Sequence, residues 1–191
     1  MTLDERPTEE YPTTPVSRPT STLLIGLGNP ILGDDGVGWR IVESVVTKIS
    51  SDTRYHTHYR PEDSKLIKQF PNVEVDYLSL GGLSLMERIL GYERVILVDS
   101  METGMKPIGS VCTYSLADLP NPSAGHSASA HDTTLMTALQ TAEAIGARIP
   151  DRVDVVAVEA IQTYQFTEEL TEAVSEAVPE AVNAVFELLN S

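Results

Sequence analysis

Short apolar runs alternating with stretches of helical spacing constrain this chain more than any other feature. Thr22-Leu23-Leu24-Ile25 ends at Gly26. Val73 to Leu78, Arg94 to Asp99 and Val153 to Val158 are similar runs, and Ser110 to Tyr114 adds a further one. Runs of about four to eight residues bounded by turn chemistry suit strands. Between them the period changes. Val37, Ile41 and Val45, with Val42, Val46 and Ile49, share one face of a helix that begins after Gly36. Leu83, Met86, Ile89 and Leu90 follow Gly81-Gly82 as a short helix. Leu135, Leu139, Ala142 and Ile145 mark another, starting near His131 and ending near Gly146. Glu168 to Leu189 reads as helix in two pieces, because Pro179 interrupts it and suits a first helical position. This alternation predicts an α/β/α three-layer sandwich around a mostly parallel, five-stranded mixed sheet.

The 191 residues fit one domain, expected over 22–191. Residues 1–21 are rich in Thr, Pro and Glu and read as a disordered leader, without the basic start and apolar stretch of a signal peptide. Ser50 to Pro71 is polar and long for a connection, as an insertion would be. Thirteen Lys and Arg stand against 28 Asp and Glu, a net charge of −15. Such a surface repels phosphate backbones and anionic membranes, so neither nucleic acid nor membrane is an expected partner. Cys112 is the single cysteine, which excludes an internal disulfide and a cysteine-rich metal cage and fits the cytoplasm.

Three motifs carry chemistry. The first, Gly26-Leu27-Gly28-Asn29-Pro30, leads through Gly33 to Asp34 and Asp35. A dinucleotide fingerprint requires a third glycine where Ile31 stands. A P-loop requires Lys and Ser or Thr where Asp34 and Asp35 stand. Two carboxylates at that position repel phosphates and suit a cation. One of the pair, Asp34, is expected to cap the helix that follows; a helix needs one cap, which leaves Asp35 for a ligand. The second motif is Asp99, a carboxylate placed at the mouth of the sheet by a buried strand. A turn or cap residue would look the same. The third is Ser123 to Asp132, with two histidines. His131 lies at a helix start, where the dipole disfavours protonation and leaves the neutral imidazole that metals bind. His126 competes for that role. Asp35, Asp99 and one histidine would form a three-ligand set with an open position.

The pattern Gly26-x-Gly28-Asn29-Pro30-x-x-x-Asp34-Asp35-Gly36-x-Gly38 resembles the opening signature of the [NiFe] hydrogenase maturation endopeptidases. Gly81-Gly82, the strand ending at Asp99 and a histidine at a helix start follow in the family's order. The resemblance runs from Leu23 to the C-terminus and implies an α/β endopeptidase of nickel-dependent, aspartic type. It implies that Asp35, Asp99 and His131 contact nickel and act catalytically. It implies a substrate, the precursor of a hydrogenase large subunit, which carries the nickel and loses a C-terminal extension. Leu80 stands where many members carry Asp, and Glu159-Ala160-Ile161-Gln162 stands where a Pro-Glu pair is frequent. The same ligand set would serve a nickel carrier without cleavage activity, which shortening of the substrate distinguishes. A protease of the spore germination type would not need nickel in its substrate. Whether the metal activates water or a carboxylate acts as base stays open.

Overall fold

A computed structural model describes residues 21–49, 70–119, 130–161 and 166–191; the side chains of 49 and 130–134 fall outside the description. Residues 1–20, most of 50–71, His126 and Gln162 also fall outside it. Five strands form one sheet: β1 Thr22–Leu27, β2 Val73–Leu78, β3 Arg94–Met101, β4 Val111–Ser115 and β5 Arg152–Glu159. Their order is β2-β1-β3-β5-β4. β2, β1, β3 and β5 are parallel, and β4 pairs antiparallel with β5 at the edge. The helices are α1 Val37–Ile49, α2 Gly82–Ile89, α3 Ala130–Ala144 and α4 Glu172–Leu189, and a 3-10 turn, Gly33–Gly36, precedes α1. The mixed five-stranded sandwich expected from the sequence is the fold observed.

Period-two alternation divides the strands between two cores. Leu24, Ile96, Val98, Val156 and Val158 pack on the face covered by α1 and α4. Leu23, Ile25, Val95, Leu97 and Val155 pack on the opposite face, with Leu85 and Ile89 of α2 and Leu135 and Leu139 of α3. Both faces are apolar because both are covered, so the central strands are apolar runs rather than alternating ones.

Five expectations need correction. Pro179 does not split the last helix: α4 is continuous from Glu172 to Leu189. Pro179 is exposed, so the carbonyl freed by its missing N–H faces water, while Val174, Ala177, Ala181, Val182 and Val185 hold both sides of it to the core. The helix also begins later than Glu168. Thr167 bonds instead to the loop after β1, its N–H donating to the Ile31 carbonyl at 3.0 Å and its carbonyl accepting from Gly33 N–H at 2.7 Å. Leu83 and Ile145, placed on apolar faces by their spacing, are 63% and 81% exposed. Leu83 lies in the first turn of α2, and Ile145 follows the last residue of α3, where helical spacing no longer sets direction. Finally, β3 continues past Asp99 to Met101.

Asp34 does not cap the helix that follows it; it anchors the residue that begins α4. The 3-10 turn has no side-chain cap. The Asp34 carboxylate, 3% exposed, instead accepts from the backbone N–H of Thr171 at 2.7 Å and from its hydroxyl at 2.8 Å. Thr171 is the N-cap residue of α4, so Asp34 places negative charge at that helix's positive end across 137 positions of sequence. Asp34→Ala leaves both donors without this acceptor and is expected to lower unfolding stability by about 2 kcal/mol. Urea denaturation checks this, and a loss below about 0.5 kcal/mol, the scale of ordinary surface changes, would contradict it.

Candidate active site at the switch point of the sheet

Leaving β1, the chain goes first to β2 on one side and then returns to β3 on the other. The connections therefore diverge at the carboxyl ends of β1 and β3 and open a crevice there. Open α/β sheets bind ligands in such a crevice. The loop after β1 carries Asp35, and Asp99 sits near the carboxyl end of β3.

The sequence holds Asp35 in place through close backbone contacts. Gly28 has φ +106°, and a Cβ there would lie 1.8 Å from the Asp35 carbonyl oxygen. Only glycine permits that approach, so the loop folds down over the strand end. The Asp35 Oδ2 then accepts from Asn29 N–H at 2.6 Å. The Ser79 hydroxyl donates to the Gly28 carbonyl at 2.7 Å and ties the β2 end to the same loop. Asp35 is half-buried.

Asp99 is 2% exposed, and its Oδ1 accepts from Ser100 N–H at 2.8 Å. In the alternation of β3, Asp99 falls with Val95, Leu97 and Met101 on the face of the sheet that α3 covers. α3 runs back to the start of β5 through a short connection, so its N-terminus lies at the carboxyl end of the parallel strands. His131 is its second residue. The fold thus directs all three expected residues to one end of the sheet, two of them on strand and loop and the third at a helix start. Among the described side chains, no three His, Cys, Asp or Glu residues come together as a metal site. The His131 side chain is outside the description, and His126 wholly so.

Glu159 is a buried carboxylate whose position the sequence reading did not use. It closes β5 as Asp99 nearly closes β3, and an acid at the end of an apolar run was the available signal. Its oxygens accept from Thr103 N–H at 2.8 Å, the Thr103 hydroxyl at 2.6 Å and Gly104 N–H at 2.7 Å. Those bonds fix the loop that leaves β3, so Glu159 shapes the rim of the crevice. From the loop between β3 and β4, Lys106 Nζ donates to Sγ of Cys112 on the edge strand β4 at 2.9 Å, and this contact raises the ammonium above its ordinary pKa.

An α/β protein with acidic residues at the switch point belongs to a broad class of strand-end binding and hydrolytic sites. Comparison narrows it. The family described as hydrogenase maturation protease (HycI) matches residues 63–188, more than half of the chain. The chain belongs to the hydrogenase maturation protease family. It is 25% identical over 148 residues to the hydrogenase expression/formation protein HupD of Rhodobacter capsulatus, covering 78% of this chain and 61% of that protein. It is 24% identical over 151 residues to HupD of Rhizobium leguminosarum bv. viciae, covering 79% and 64%. The chain thus spans about six tenths of the length of these curated relatives. Its fold is similar to that of the hydrogenase maturating endopeptidase HybD from E. coli, with a TM-score of 0.64, 21% identity, and coverage of 89% of this chain and 92% of that one. The maturation protease HybD from Thermococcus kodakarensis superposes with a TM-score of 0.59 at 19% identity, covering 88% and 99%.

Proposed function

We propose that this protein is an endopeptidase that removes a C-terminal extension from the nickel-loaded precursor of a [NiFe] hydrogenase large subunit. What supports this reading most is that the chain belongs to this family while the backbone segments bearing Asp35, Asp99 and His131 all lie toward the carboxyl end of the parallel strands. Two carboxylates and an imidazole suit a borderline divalent ion such as nickel. The ion belongs to the substrate. Asp35, Asp99 and His131 would hold it through its open coordination positions and so place the neighbouring peptide bond.

Held there, the ion would supply Lewis acidity toward the scissile carbonyl or the attacking water, and Asp35 or Asp99 would be the carboxylate available to accept the water's proton. Water adds across the C–N bond. The large subunit gains a new terminal carboxylate, and the extension leaves with a free amine. No helix among the described residues is long and apolar enough to cross a membrane.

The experiment compares His131→Ala with His126→Ala on the nickel-loaded precursor. The expected result is loss of cleavage by the first variant and retention by the second. Full cleavage by His131→Ala, or its loss only in His126→Ala, would remove His131 from the site.

A further inference from the structure

Large apolar side chains exposed on a folded chain normally scatter over its surface. Here they do not. Of eight such side chains among the described residues, seven lie in segments that follow the carboxyl ends of the parallel strands, and only Ile145 lies at the other end of the sheet. Ile31 follows β1. Leu80 and Leu83 follow β2, in the loop and first turn that lead into α2. Met105 and Ile108 follow β3, and Ile161 and Phe166 follow β5; Phe166 is 84% exposed.

These segments are joined to one another. Ser79 bonds to Gly28, linking the β2 and β1 ends. Thr167, next to Phe166, bonds to Ile31 and Gly33. Glu159 bonds to Thr103 and Gly104, linking the β5 and β3 ends. The loops that carry these apolar side chains are therefore tied to one another around the crevice, as a collar.

Charge points the same way. In a chain with a net charge of −15, Asn29 to Gly33 and Ser79 to Leu85 contain no charged residue, whereas Lys106 lies between Met105 and Ile108 and Glu168 and Glu169 follow shortly after Phe166, so the depletion lies on the β1 and β2 side of the collar. Charge depletion at the centre of an exposed apolar patch is the anatomy of a protein-binding surface.

We infer that this collar docks the folded surface of the precursor around its cleavage site, so that recognition uses apolar protein contact in addition to nickel. The inference rests on the proteolytic reading and names the surface that selects the substrate. A second copy of this chain is a poorer occupant, because it would close the crevice against the precursor. An anionic membrane is repelled by the chain's charge.

The test is steady-state cleavage of the nickel-loaded precursor by the wild type, by Leu80→Ser/Leu83→Ser, by Met105→Ser/Ile108→Ser and by Ile145→Ser. All five positions are exposed, so the variants keep their cores. The expected result is a rise in KM of about tenfold for each collar pair, with a kcat near the wild-type value and no change for Ile145→Ser. Hydrogen exchange should slow in the two loops when precursor is added. An unchanged KM for both pairs, or a fall in kcat at constant KM, would overturn the collar while leaving the protease reading intact. A wild type that does not cut the loaded precursor would overturn both.

Discussion

Asp35→Asn is expected to abolish processing, with a loss of at least about a hundredfold, the lower range of what a positioned acid or base contributes. Its melting transition should match that of the wild type. The substitution is chosen because the local structure survives it. The amide oxygen still accepts from Asn29 N–H, where the Asp35 carboxylate now accepts at 2.6 Å. The tight approach at Gly28 is to the Asp35 backbone carbonyl, and the one side-chain atom nearby, Cγ, is kept by the substitution. What changes is the charge offered to the crevice. A carboxylate binds a divalent ion and accepts a proton, and a carboxamide does neither well. Precursor cleavage followed by intact mass, alongside a thermal melt, separates the two outcomes. Undiminished cleavage would take Asp35 out of the mechanism. Lost cleavage with a lowered melt would make it a structural residue.

Gly38→Ala is expected to cost about 3 kcal/mol or more and to give a poorly soluble protein. The start of α1 presses on the sheet at the junction of β1 and β3. A Cβ at residue 38 would lie 2.3 Å from the Val98 carbonyl oxygen and 2.4 Å from that of Leu27. Both atoms are backbone, one on each strand that borders the crevice, so no side-chain rotation relieves the overlap. The helix must lift, and Val37, Ile41 and Val45 would lift with it from a core in which each is fully buried. Because α1 follows directly from the turn that carries Asp35, the same displacement would disturb the site. Denaturant unfolding measures the loss; a change under about 1 kcal/mol would mean that the helix accommodates a methyl group and that the close approach is not required.

These two residues illustrate what the sequence made legible. The glycine pattern around Asp35 is local, and its strand, turn and helix follow from spacing alone. Asp99 was legible because four apolar residues before it mark a buried strand, and a carboxylate there is conspicuous. The extension of β3 to Met101 was not legible, since Ser100 and Met101 carry no strand signal; their pairing with Val158 and Glu159 of β5 holds them in the sheet. Asp34 shows the limit most clearly. Its position before α1 suggested a local cap, while its partner Thr171 is set by the packing of α4 against α1. Pro179 misled for a related reason: local propensity argued for a break, and burial on both sides of an exposed proline outweighed it. The apolar collar was hidden because Leu83 reads as a core-facing helical residue and Leu80 as a departure within a turn motif, until the fold gathers their loops at one end.

Recognition through nickel is decided by intact mass spectrometry of the large-subunit precursor, loaded and unloaded with nickel. The wild-type protein should shorten the loaded precursor by one C-terminal peptide and leave the nickel-free precursor at full length. Equal shortening of both forms would contradict recognition through the metal. Binding of nickel with no shortening of either form would contradict the endopeptidase itself and leave a carrier in its place.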